Sequence, residues 1–282
     1  MPHISIKAEE VLNLFGFPIT NSMILSWIVL VICILIGKYY QSQLKRKHKS
    51  SFFYLLNSLF TGIYNFLSSI LHEKTKVFFP LLAAYFFYIL SNNWFGLMPT
   101  VGSLLIRPFE AGRVQANELV THPSSTKSVE PITTEGHTTA DETASEHRKI
   151  PFLRANNADL NTTFALALIT VSLIQFYGMK YNGVGGYLKK FFNFTSPIMF
   201  FVGILELISE VSRILSFSFR LFGNVLAGEV LISIVAFLLP SAASFFLVPF
   251  YVLELMAGAI QALVFTMISA VLINMATTKA HH

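Results

Sequence analysis

Charge is what this 282-residue chain has least of: Asp, Glu, Lys and Arg make up 12% of it, against about 25% in a soluble domain. That shortage excludes an ordinary water-soluble fold, and the apolar content excludes a disordered chain. Cysteine is nearly absent. Cys33 stands alone within an apolar run, so neither a disulfide framework nor a thiolate metal site can form. Reactive motifs are missing too. There is no H-E-x-x-H, no G-x-S-x-G and no pair of aspartates within an apolar segment, and Cys33 has no local histidine. These absences argue against an intramembrane hydrolase. No G-x-x-x-x-G-K-[ST] loop occurs, so nucleotide chemistry would have to reside in other chains. No internal repeat is visible, which argues against a transporter built from two matching halves. Residues 1–21 lack the charged start and apolar core of a cleavable signal, so the first apolar run is expected to be retained.

What the chain does have is apolar length. Hydrophobic residues reach 54% and mean hydropathy is +0.60, which places it among polytopic membrane proteins. The expected fold is all-α, one membrane domain over 1–282 with about five transmembrane helices. Residues 1–22 form an outer segment and 23–40 the first span. Residues 41–76 form a cytoplasmic loop whose apolar part, 52–71, reads as an interfacial helix in preference to a sixth span. The second span is 77–98, a long outer loop covers 99–161, and the third span is 162–178. A helical hairpin over 196–278, broken at Pro240-Ser241-Ala242-Ala243, supplies two helices longer than a perpendicular crossing needs. They should tilt.

The net charge of +5 sits in short basic segments between these runs, so it carries topology and points to no nucleic-acid partner. Lys38, Lys45, Arg46, Lys47 and Lys49 follow the first span, Lys180, Lys189 and Lys190 the third, and Lys279 the last. The positive-inside rule puts these on the cytoplasmic side and the N-terminus outside. The outer loop is polar and mixed in charge. Its His122, His137 and His147 match no metal-site spacing, so 122–147 reads as a solvated linker.

Inside the hairpin, ionisable groups are few enough to name: Glu206, Glu210, Arg213, Arg220, Glu229 and Glu254, tyrosines aside. Arg220 is the most informative. A guanidinium keeps its proton in any protein environment, and a charge at bilayer depth costs roughly 3 kcal/mol on insertion scales. Glu206, Arg213 and Arg220 recur every seven residues and share a face, with Ser216 and Asn224 flanking Arg220 at four residues either side. Glu229, nine residues on, faces the other way, about 14 Å further along. On the last helix Glu254 and Gln261 share a face, with Gly258 between them permitting close helix approach. Glu206, Glu210 and Arg213 read equally well as a structural ion-pair group.

The run Ser216-Phe217-Ser218-Phe219-Arg220-Leu221-Phe222-Gly223-Asn224-Val225-Leu226-Ala227-Gly228-Glu229 closely resembles the signature of subunit a of F-type ATP synthases. Ala158-Asp159-Leu160-Asn161-Thr162-Thr163 is similar to the start of that family's middle span. Asn93 with Gly96-Leu97-Met98-Pro99 resembles the end of the preceding span, and Ile260-Gln261-Ala262-Leu263-Val264-Phe265 the glutamine motif of the last helix. The resemblance implies a non-catalytic stator without cofactors, set in a bacterial inner membrane beside a rotor ring of c subunits. Peripheral-stalk b subunits and the remaining ATP synthase subunits are the implied partners. By the same resemblance Arg220 faces a rotor carboxylate across two offset half-channels. Glu229, Glu254, Asn224 and Gln261 then belong to the outer half-channel, Ser216, Glu206 and Asn161 to polar positions near the path, and Arg213 is only a nearby base. This sequence departs from some relatives in having Glu at both 229 and 254, where a His pairs with a Glu, and in having Gly96 where an acid stands.

The composition of the outer loop generates one prediction. Deleting residues 122–147 should leave assembly and core activity intact, as checked by purifying the complex and assaying it. Lost assembly would make the loop a docking element.

Overall fold

The computed structural model describes residues 10–14, 17–46, 48–98, 101, 105–106, 150–151, 154–188, 191, 197–238 and 243–278. His122, His137, His147, the whole 122–147 linker, Lys47, Pro99, Lys189, Lys190, Lys279 and the break at Pro240-Ser241-Ala242 lie outside the described residues. Among the described residues two antiparallel ribbons, β1 (Glu10–Leu14) with β2 (Phe17–Thr20) and β3 (Leu105–Ile106) with β4 (Ile150–Pro151), accompany seven α-helices. These are α1 (Asn21–Leu44), α2 (Ser51–Leu71), α3 (Thr75–Gly96), α4 (Leu160–Asn182), α5 (Val184–Leu188), α6 (Pro197–Leu238) and α7 (Ala243–Thr277). The protein is an all-α polytopic membrane protein. Among the described residues five stretches are long and apolar enough to cross a bilayer: Asn21–Leu44, Ser51–Gly96, Leu160–Asn182, Ile198–Leu238 and Phe245–Thr277.

Local chemistry sets several helix ends. Asp159 caps α4, its Oδ1 accepting the Asn161 N–H at 3.1 Å, which satisfies one of the donors a helix start leaves open. Gly183, at φ +78°, ends the same helix, in a region where a side chain would be strained. Between α2 and α3 the chain turns through His72 at φ 50° and a short 3₁₀ turn, His72–Lys74. That turn folds α2 back along α3, so Tyr64 meets Phe79 (5.1 Å between ring centroids) and Phe60 meets Phe87 (4.7 Å). The helix expected at 52–71 is therefore present and seated against its neighbours, with Leu67 and Leu71 fully buried.

The core lies where α3, α4, α6 and α7 meet. Phe78, Leu82 and Ile89 of α3 pack with Ala167, Val171 and Ile174 of α4, Phe217 and Leu221 of α6, and Ala262, Phe265, Ala270 and Ile273 of α7. Phe265 is the centre, with Phe217 at 4.8 Å and Tyr85 at 5.9 Å. Ala167, Ala262 and Ala270 let the helices close without the hydrophobic drive that water would supply, since lipid is as apolar as Leu. Polar side chains pin one end of the bundle. Asn182 donates to the Ala276 carbonyl (2.7 Å), Asn274 to that of Ile70 (2.9 Å) and Lys74 to the Thr277 hydroxyl (3.0 Å). At 42 and 35 residues, α6 and α7 would be about 63 and 52 Å long. A hydrocarbon core is only about 30 Å thick. Trp27, Phe201, Ile208 and Met256 stay exposed on the outside of the bundle, as lipid-facing residues should.

The α3–α7 contact depends on a missing side chain. A Cβ at Gly258 would stand 2.9 Å from the Asn93 Cβ, and the Asn93 amide donates to the Gly258 carbonyl at 3.1 Å. Gly258→Val should cost about 1–3 kcal/mol by overpacking and break that bond. A lower unfolding midpoint in detergent would register both.

Candidate functional site

α6 has two unlike faces. Gly203, Glu210, Phe217, Ser218, Leu221, Val225 and Gly228 are buried, a stripe at helical spacing turned toward the bundle. On the other side Ser212, Ser216, Arg220, Gly223 and Ala227 are exposed. The cation thus stands in a row of small residues. Among the described residues no carboxylate lies within ion-pair distance of Arg220. Arg213 does have one: its Nη1 donates to Glu210 Oε1 at 2.5 Å, one turn back on the same helix. Glu206 is half-buried, about 21 Å along the helix from Arg220.

At the other end of α6 the polar groups converge. Glu254 of α7 is buried, and its carboxyl group occupies the space that a side chain at Gly228 would fill. The glycine before Glu229 therefore makes the notch that seats the Glu254 carboxyl against α6. Arg154, also buried, places Nη2 3.9 Å from Glu229 Oε2. Behind them runs an amide relay, in which Asn157 donates to Asn93 (2.6 Å) and Asn93 to the Gly258 carbonyl. Asn156 donates to the Tyr88 hydroxyl at 3.4 Å, and Ser22 donates to Asp159 at 3.1 Å. Gly96 lets this 154–159 segment approach α3, since a Cβ there would meet that of Ala155 at 2.8 Å.

Several of these groups keep unused hydrogen-bonding capacity. Asn224 Nδ2, Glu229 Oε2, Gln261 Nε2, and the side-chain oxygens of Asn92, Asn156 and Asn157 are buried without a hydrogen-bond partner among the described residues. Buried polar atoms are costly when unmet and are commonly met by ordered water. A site rich in such atoms is therefore suited to hold water and to move protons along it. Among the described residues no three His, Cys, Asp or Glu side chains group as a metal site.

The structure separates the residues singled out from sequence into two sets. Glu254 seats its carboxyl at Gly228, the residue before Glu229, with Asn224 a little over one turn before Glu229 and Gln261 two turns after Glu254. Arg220 and Ser216 lie on the open face of α6. Asn161 is exposed in the first turn of α4 and joins neither set. Arg154 and Asn157 were not singled out. They sit ahead of α4 in a polar segment with no periodicity, and Arg154 is 75 positions from Glu229, so no local pattern could have paired them.

The family model for the ATP synthase A chain matches residues 23–274. The chain is similar to the ATP synthase subunit a of Desulforamulus reducens, 38% identical over 139 residues, which is 47% of this chain and 52% of that one. The Buchnera aphidicola subunit a is 36% identical over 135 residues, 46% and 49% of the two chains. Against these two the match therefore spans about half of the relative's length. The Moorella thermoacetica subunit a aligns over 275 residues, 94% of both chains, at 25% identity.

The unmet polar atoms predict water around both acids. With Cys33 replaced by Ser, cysteines placed at 229 or 254 should react with a water-soluble maleimide, whereas one at the fully buried Leu221 should not. Silence at 229 and 254 would show that the carboxylates sit in a dry contact.

Proposed function

This chain belongs to the ATP synthase A chain family, and we propose that it is the stator of the proton-translocating membrane sector, a non-catalytic partner to a rotor ring of c subunits. The observation that carries this reading is the open face of α6: a permanent cation, no counter-carboxylate within reach among the described residues, and small residues along the same row. A guanidinium at membrane depth needs a partner or water. The flanking Ser212, Ser216, Gly223 and Ala227 leave room for another helix to come close, and that helix would supply the carboxylate.

On this reading Glu229, Glu254, Asn224 and Gln261 line an outer half-channel. Water held by their unmet polar atoms passes protons inward to a rotor carboxylate, which then travels around the ring. The second half-channel opens toward the other end of α6, where Ser216 and Glu206 lie, and Asn161 is a peripheral polar group. Arg220 separates the two. Its charge favours the ionised rotor carboxylate as that group arrives, so the proton is released to the exit side, and it opposes direct leakage between the channels. Peripheral-stalk b subunits would hold the chain still while the remaining ATP synthase subunits perform the nucleotide chemistry. On this reading the basic segments after α1 and α4 lie on the cytoplasmic side of a bacterial inner membrane, with the N-terminus outside and the C-terminus in the cytoplasm.

Arg220→Ala tests the reading. Coupled ATP synthesis and ATP-driven proton pumping in membrane vesicles should fall to background while the complex still assembles. Arg220→Lys should be severely impaired too, because a lysine can give up its proton when desolvated and lacks the planar fork. Full coupled activity in the Ala variant would overturn the assignment.

A further inference from the structure

The segment ahead of α4 brings a second arginine to the path, and its anchoring is unusually complete for a loop. Ala158 and Asn156 are fully buried, and Asn157 is 1% exposed. Ala155 and Ala158 form a small buried cluster with Val225 of α6, which seats the segment one turn before Glu229. Gly96 accommodates Ala155, the Asn157–Asn93–Gly258 relay ties the segment to α3 and α7, and the Asn156–Tyr88 bond ties it to α3 again. Within this frame the Arg154 side chain is held at 9% exposure with Nη2 3.9 Å from Glu229 Oε2. That distance is within ion-pair range and beyond a hydrogen bond. The attraction therefore acts on Glu229 while the oxygen keeps its capacity to bind water.

We propose that Arg154 is a positioning residue for the proton path: it presents a fixed positive charge to Glu229 and so sets where that carboxyl stands. Arg154 from the loop faces Glu229 of α6, and Glu254 of α7 seats its carboxyl at Gly228, one residue before Glu229. Arg154 lies within ion-pair distance of Glu229, which makes the two acids inequivalent. Glu254 has no cation within ion-pair distance among the described residues. Of the two acids, Glu229 is the one with a cation beside it. This inference rests on the outer half-channel proposed above.

The experiment is a set of variants in the assembled complex, with ATP-driven proton pumping in vesicles as the readout and subunit composition checked by purification. Arg154→Ala should slow pumping about tenfold, the order expected when one nearby charge interaction is removed. Arg154→Lys, which keeps the charge, should restore about half of the wild-type rate or more, whereas the uncharged Arg154→Gln should not. In a Glu229→Gln background, Arg154→Ala should cause no further loss, since the group it acts on is gone. Wild-type pumping in Arg154→Ala would overturn the proposal. So would equal losses in the Lys and Ala variants, or a loss that persists undiminished in the Glu229→Gln background, because either would make the arginine a mere structural anchor. Undiminished pumping in Glu229→Gln alone would strike the half-channel reading itself, and this inference with it. Slowed pumping in Glu229→Gln beside wild-type pumping in Arg154→Ala would overturn this inference only.

Discussion

A charge that cannot be discharged governs the architecture of α6. Because Arg220 stays cationic in any environment, the helix must bury one side while leaving that residue an outlet. The buried stripe through Phe217, Leu221, Val225 and Gly228 fixes the rotation of α6 against α4 and α7, and that rotation turns Arg220 outward. Had the stripe been shifted by a single residue, about 100° on a helix, the guanidinium would have turned toward the bundle. The Phe217–Phe265–Tyr85 cluster at the centre therefore serves the arginine as much as the fold.

The end of the bundle around Glu229 solves a different problem, that of keeping polar groups inside an apolar body. It does so with missing side chains. Gly228 admits the Glu254 carboxyl, Gly258 admits Asn93, and Gly96 admits Ala155. The first two approaches bring a charged or hydrogen-bonding group to a place where a larger residue would have held it off, and the third seats the segment that carries Asn156 and Asn157. The result is a cluster of amides and carboxylates only partly satisfied by one another. Low dielectric raises the stakes of such a cluster, and water is the natural remainder of its hydrogen bonding.

Much of the fold was legible from apolar runs alone, because a bilayer-length run of hydrophobic residues has few other solutions. Helix ends were less legible. α1 continues through Gln41-Ser42-Gln43-Leu44, and α4 reaches Asn182, since a helix can outlast the apolarity that reveals it. α2 was readable as a helix, but its packing along α3 depends on the turn at His72, which hydropathy does not register.

The sequence by itself determined the membrane class, the number of long apolar stretches and the exceptional status of Arg220, because each follows from local composition and an intrinsic pKa. It also determined that Glu229 faces away from Arg220, since nine helical residues make two and a half turns. Only the tertiary structure decided which groups Glu229 faces instead. The pairing with Arg154 and the nesting of Glu254 at Gly228 depend on the rotation, register and crossing of separate helices and on where a loop is anchored. Those quantities are set by side-chain packing between segments distant in the chain, and no periodicity along a single segment encodes them.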